Sequence, residues 1–246
     1  MNWFCVDKDD LGRLVSGRHP VWIVWELLAN ALDLPAVTRI DLHLARTPDS
    51  KLVEITCTDN DPAGWANLSL VARAFHSEKH GNKHRGRFGI NLILALSQCR
   101  NAIIRSKTGS AIFEHQEDSH LARSMTLDCG SSVWLELEMS QPHQDDIFEL
   151  IGGFVPQNNS MGQEISVALN GRQVESKSPV GFVQMPGVAG AMYESTSPQL
   201  CEMGIPLCRL DCKWTVDVQG RVPRELLGGV SEIYIDKIKD NLERTR

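Results

Sequence analysis

The sequence predicts an α+β protein of layered architecture. Three observations predict it. The chain opens with two helical patterns before any strand. A series of alternating apolar and polar segments follows, as half-buried strands require. Past residue 140 the texture shifts to a smaller mixed unit with a terminal helix. Helices and strands do not alternate one for one, which argues against a doubly wound sheet.

Residues 7–16 (DKDDLGRLVS) read as a short helix, broken by Ser16-Gly17-Arg18-His19-Pro20. Pro20 suits the first turn of the next helix, where its missing N–H costs nothing. That helix runs to about Leu34 and stops near Pro35. RIDLHLAR and KLVEITCTD alternate as strands around the turn Thr47-Pro48-Asp49-Ser50. The second strand ends in DNDPAGW, a Pro/Gly loop. Residues 66–76 read as helix, HSEKHGNKHRGRFG as a basic loop and INLILALSQC as an apolar helix. NAIIRSK, SAIFEHQ, ARSMTLD and SVWLELEM are strands. The polar, proline-bearing SQPHQDD marks a domain boundary, dividing 1–140 from 141–246. Beyond it lie EISVALNGRQV, a strand pair turned at Asn170-Gly171, then KWTVDVQG and the helix SEIYIDKIKDNLER.

Composition narrows the function. A chain of 246 residues, 42% hydrophobic, holds one large core or two modest ones. A net charge of −6 argues against general nucleic-acid coating, though a local basic groove stays open. The seven cysteines are odd in number and lack a CxxC pair, so reduced thiols are expected. MNWFCVDKDD has no apolar signal core, and no run approaches a membrane span. A soluble, cytoplasmic protein is the expectation.

The chemistry starts at WELLANALD, residues 25–33. The helix is apolar almost all round, yet carries Glu26, Asn30 and Asp33. At roughly 100° per residue these fall within about 60° of one another. A buried polar stripe needs a polar partner. Two further elements supply candidates. Asp59 ends a strand and is followed by Pro62 and Gly64. Arg85-Gly86-Arg87-Phe88-Gly89 opens into an apolar helix and offers N–H groups and a helix dipole to an anion. Lys79, Lys83, Arg85 and Arg87 stand around that turn.

Each signal alone is weak. A Gly-x-x-Gly before a helix is more often a packing turn, a lone buried Glu an ion-pair member, and a strand-end Asp a turn cap. Their order and spacing together are more specific. WELLANALD, TDNDPAGW, SEK with RGRFG, and CGSSVWLEL resemble the motif series of the GHKL ATPase superfamily, over about residues 15–140. That superfamily takes in gyrase-type topoisomerases, the large heat-shock chaperone, histidine kinases and MutL proteins. The second part is similar to a transducer module. EMGIP and VDVQGRVP resemble phage and plasmid ATP-binding proteins of the same layout.

The resemblance implies a Bergerat-type ATP-binding sandwich followed by a smaller α/β transducer-like domain. It implies ATP and Mg2+ as ligands. Asn30 would hold the metal, Glu26 would activate water, and Asp59 with Ser131 would read adenine. Asp33 would support the site. Gly64, Gly86, Arg87, Phe88 and Gly89 would line the nucleotide, and Lys79 would reach a phosphate. Gln219 and Arg221 resemble a transducer Gln-x-Lys that reaches the terminal phosphate, with Arg in place of Lys. The same VQGRVP also reads simply as a strand end and turn.

Departures from the pattern are visible. Asp61 stands where many members have glycine, with Ala63 before the displaced Gly64. Asn91 replaces a third glycine, and Ala29 an acidic residue. The expected function is Mg-dependent ATP binding with slow hydrolysis, driving a conformational or dimerisation switch that acts on a partner protein. A non-hydrolysing nucleotide-gated module is the alternative. A protein kinase domain is disfavoured, because no phosphoacceptor hairpin precedes the motifs. His76, His80 and His84 recur every fourth residue, but Gly81 and Asn82 interrupt a helix there, so they read as solvated lid residues. Trp65 and Phe75 read as core or pocket wall.

Overall fold

The computed structural model describes residues 8–71, 85, 91–114, 120–122, 124–175, 177–185, 188–222 and 232–244. Helices α1 (Lys8–Val15) and α2 (Val21–Leu32) open the chain, with Pro20 at the N-cap of α2. Strands β1 (Arg39–Arg46) and β2 (Leu52–Asp59) follow as the alternation requires, and pair antiparallel. Only a short 3-10 turn, Leu68–Leu70, is seen within the expected helix 66–76. Asn67 caps it by accepting from the Ser69 N–H. Residues 72–76 lie outside the described set.

Next come α3 (Asn91–Ser97), β3 (Asn101–Ser106), β4 (Gly109–Glu114), β5 (His120–Ala122) and β6 (Ser131–Glu138). The strand expected over ARSMTLD stops at Ala122. Met125 takes a left-handed φ of 62°, which no ladder accommodates. Past that point Leu127 donates from its backbone to the Ser106 carbonyl at 3.2 Å.

SQPHQDD is the cap and opening of helix α4 (Gln141–Ile151). Ser140 accepts from the His143 N–H, and Pro142 occupies the first turn. Ile147 and Ile151 of α4 are fully buried in the same core as Val24 and Leu28 of α2. The chain then returns to the first sheet. β7 (Ser166–Leu169) lies parallel to β1, and β8 (Arg172–Gln173) closes the hairpin. Asn170 and Gly171 turn it with φ of 48° and 78°, as type I′ geometry demands. The Asn170 side chain also clasps Leu44 of β1 through both its N–H and its carbonyl. The sheet order is β5-β4-β3-β6-β2-β1-β7-β8. β7 and β8 thus belong to the first sheet although they follow residue 140. A parallel pairing across 127 residues, as between Arg39 and Ser166, has no local signature.

The second sheet has order β12-β11-β13-β10-β9. Its strands are β9 (Gly181–Met185), β10 (Val188–Glu194), β11 (Gln199–Glu202), β12 (Ile205–Arg209) and β13 (Trp214–Val218). Helix α5 (Glu232–Arg244) covers it, burying Ile238 and Leu242 against Val183, Leu200 and Val216. Ile205 belongs instead to the core of the first sheet, so the β11–β12 hairpin docks onto the α2 layer. Gly204 in that hairpin has φ 91°, and a Cβ there would sit 2.5 Å from the Val155 carbonyl oxygen. None of the described helices is long and apolar enough to cross a membrane.

Candidate functional site

Helix α2 buries Trp22, Ile23, Val24, Leu27, Leu28, Ala31 and Leu32. Its remaining face leaves Glu26 and Asn30 half-buried, one turn apart. Asp33 follows at the C-cap, and its side chain is fully buried. Its partner is Arg85. The Arg85 backbone N–H donates to Asp33 Oδ1 at 3.0 Å, and the guanidinium Nη1 donates to the same oxygen at 3.3 Å. Thus Asp33 meets a cation from this chain, while Glu26 and Asn30 keep the more open part of the stripe.

Asp59 is the last residue of β2 and only 8% exposed. Burial pushes its carboxyl up to about 6, against the opposing pull of the Asp61 N–H and of Ser131. Ser131 is its register partner on β6. The Ser131 hydroxyl lies near enough to favour the ionised carboxylate. It makes no full hydrogen bond to any described protein atom, although it is buried. A buried hydroxyl in that state is a group waiting for a partner.

The loop after Asp59 is built by its own side chains. Asn60 Oδ1 accepts from the N–H groups of Thr38 and Arg39, each at 2.9 Å. Asp61 accepts from Ala36 N–H at 2.9 Å and from Ala63 N–H at 2.8 Å. The Asp61 carbonyl takes the N–H of both Gly64 and Gly130. Gly64 has φ 59°, and a Cβ there would lie 2.5 Å from Ser106 Oγ. Gly130 has φ 77°, and a Cβ there would lie 2.0 Å from the Asp59 carbonyl oxygen. Ser106 Oγ in turn accepts from the Trp65 N–H at 2.7 Å, which holds Trp65 beside the loop. The Asp61 departure is therefore a structural anchor for this turn.

Gln219 follows β13. Its side-chain amide donates to Asp217 and, at 3.4 Å, to Gln157. Asp217 is fully buried and also accepts from Gly204 N–H at 2.7 Å and from Gln157 at 3.0 Å. Burial raises its carboxyl to about 6, while these donors and Arg85 pull it back. Arg221 is half-buried, next to Val222, whose N–H donates to Glu202 at 2.6 Å. Sequence reasoning passed over Asp217, Gln157 and Glu202. For Asp217 and Glu202 the signal was a polar residue at an inward strand position, visible only once the strand faces are known, whereas Gln157 lies in the loop before β7 and carried no such signal. Arg85, expected beside the phosphate-binding residues, donates to α2 and to the second sheet.

Lys79, Gly86, Arg87, Phe88 and Gly89 lie outside the described residues, as do His76, His80, His84, Phe75 and Lys83. Among the described residues no cluster of three metal-ligating side chains is present. Cys57, Cys99 and Cys201 are buried thiols, whereas Cys129 is exposed beside the Asn60 carbonyl.

An eight-stranded mixed sheet layered with helices, followed by a second, smaller sheet, defines an α+β fold with an acidic residue at the end of β2 and a Glu/Asn face on the first long helix. Solved structures with a similar fold include ATPase regions of a topoisomerase. Over 92% of this chain and 84% of the other, it superposes on the ATPase region of Saccharomyces cerevisiae topoisomerase II with a TM-score of 0.55 and 11% identity. The same region bound to ICRF-187 (dexrazoxane) matches over 92% and 85%, with a TM-score of 0.53 and 12% identity. Identity at that level speaks for the fold. No family model and no curated protein matches the sequence.

Proposed function

We propose that the chain binds ATP with Mg2+ between the polar face of α2 and the end of β2. It hydrolyses ATP slowly, and so drives a conformational and dimerisation switch. The observation that carries this reading is the Asp59–Ser131 pair: a buried carboxylate facing a buried hydroxyl that lacks a full hydrogen bond. A group that donates to the one and accepts from the other completes both, and the amino-pyrimidine edge of adenine does so.

The donor set of the α2 face suits magnesium, which takes oxygen ligands and bridges phosphates. Asn30 would hold the ion through its amide oxygen, and the ion would supply charge neutralisation to the phosphates. Glu26, one turn earlier on the same face, orients a water and takes its proton as the oxygen attacks the terminal phosphorus and the bond to the bridging oxygen breaks, releasing ADP and phosphate. Lys79, Gly86, Arg87, Phe88 and Gly89 serve the phosphates. Gln219 and Arg221 reach the terminal phosphate from the second domain. Gln219 is held by Asp217 and Gln157, so reaching a phosphate requires a change of partners. Such an exchange is how a phosphate biases a two-state element.

The alternative, a nucleotide-gated module without turnover, drew on the lost glycine at Asp61. The structural use of Asp61 weakens that argument. The deciding experiment measures ATP binding and steady-state hydrolysis with Mg2+ for wild type and Glu26→Ala, with particle size followed with and without a non-hydrolysable analogue. Binding in both, turnover in wild type alone and nucleotide-dependent dimers support the switch. Binding without turnover in either means the gated module. No binding sinks the nucleotide reading.

A further inference from the structure

Arg85 reaches across both sheets. It donates to Asp33 Oδ1 from its backbone and from Nη1, and Nη1 also donates to the Leu32 carbonyl at 3.3 Å. Nε donates to the Met203 carbonyl at 2.8 Å, at the turn between β11 and β12. The guanidinium is 10% exposed, and the Asp33 carboxylate is fully buried. Asp217 and Glu202 of the second sheet add attraction from the other side. One side chain thus joins the C-terminal end of the helix bearing Glu26 and Asn30 to the hairpin that shares Asp217 with Gln219.

We propose that Arg85 is a positioning residue that couples the polar face of α2 to the Gln219 end of the second sheet. The kinetic consequence rests on the ATP reading; the clasp itself does not. Three features favour this role over simple packing. The planar guanidinium spends its donors on two carbonyls and a carboxylate from separate elements, which fixes angle as well as distance. Gly204 N–H, the residue after Met203, donates to Asp217, so a shift of the turn held by Arg85 moves the acceptor of Gln219. Ile205, next in the chain, packs in the core of the first sheet, so the hairpin has an apolar pivot under its polar clasp. The Val155 N–H also donates to the Gly204 carbonyl at 3.0 Å, so Arg85 adds to that backbone tie a contact with the turn that reaches α2 through the same side chain.

The test compares the full wild-type chain with Arg85→Gln and Arg85→Lys. Hydrogen exchange without nucleotide is read in peptides covering residues 199–222 and 39–59. In Arg85→Gln the first set exchanges about tenfold faster while the second is unchanged. Arg85→Lys, with the charge but no fork, falls between. Unchanged exchange in 199–222 overturns the clasp. Acceleration spread evenly over both sheets also overturns it, since that reports general destabilisation. In ATP turnover, kcat of Arg85→Gln falls about tenfold while the ATP Kd stays within about threefold, and Arg85→Lys recovers part of kcat. An unchanged kcat, or a Kd that weakens in step with kcat, overturns the coupling. If wild type binds no ATP, the nucleotide reading falls and the exchange data alone decide the clasp.

Discussion

The backbone N–H of Asp61 donates to Oδ1 of Asp59 at 3.0 Å, so one loop carboxylate residue fixes the orientation of the other. The Asp61 side chain meanwhile ties the loop to Ala36 and Ala63. Glycine at this position offers the backbone donor but neither side-chain contact.

Asp61→Gly should therefore destabilise the fold rather than restore a better loop. Losing hydrogen bonds from two backbone N–H groups to a buried carboxylate costs about 2–4 kcal/mol. Asp61→Asn, which keeps one acceptor oxygen, should cost less. Thermal melts of the two variants check the order, and an Asp61→Gly protein as stable as wild type would remove the anchoring role.

Asp59 and Asp217 give the protein a pH dependence of definite sign. Both carboxyls are raised to about 6 by burial, from 3.8. Between about pH 4 and 6 the folded state binds more protons than the unfolded one, so stability falls as pH rises through that window. Asp59→Asn cannot ionise and should melt about 2–8 °C higher than wild type at pH 7.5. It should also lose ATP binding, because an amide presents a donor where adenine presents one. Melts at pH 5 and 7.5 with an ATP titration test both halves. Retained ATP affinity in Asp59→Asn would show that this carboxylate does not read the base.

Gly130→Ala should damage the site more than Gly64→Ala. The added methyl meets the Asp59 carbonyl oxygen at 2.0 Å in the first case, and the Ser106 hydroxyl at 2.5 Å in the second. The Gly64 methyl also meets the Gly130 carbonyl oxygen at 2.8 Å, a looser backbone clash than the 2.0 Å approach to the Asp59 carbonyl, which moves only with Asp59. Both also incur about 1–2 kcal/mol for a left-handed backbone. Stability and ATP affinity, measured together, check the ranking, which equal losses would contradict.

Cys129 should be the first of Cys57, Cys99, Cys129 and Cys201 to react with iodoacetamide. The other three are buried, which raises their thiols, that of Cys99 to about 12, and withholds the thiolate. Because Cys129 Sγ lies 3.4 Å from the Asn60 carbonyl oxygen, bound ATP should slow its labelling. Peptide mapping reads the rate, and a rate indifferent to ATP would move the nucleotide away from this loop.

Much of the first sheet was legible in one dimension. RIDLHLAR and KLVEITCTD alternate because one face is buried, and the register of β1 on β2 keeps Ile40, Leu42 and Leu44 on that face. The Asn170-Gly171 turn was legible because both residues must adopt positive φ. The polar stripe of α2 was legible from helical period alone, as was the cost of burying it unpaired.

What met the stripe was not legible. The sequence determined that Glu26, Asn30 and Asp33 share a face and that Asp59 ends a strand, because those facts follow from local backbone periodicity. Only the tertiary structure decided that Asp33 faces Arg85, that Asp61 anchors the loop, that β7 returns beside β1, and that Asp217 gathers Gln157, Gly204 and Gln219. Asp33 and Arg85 lie 52 residues apart, and Gln157 and Asp217 lie 60 apart. Periodicity carries no information over such separations. Pairing there is settled by which packing satisfies every buried charge at once.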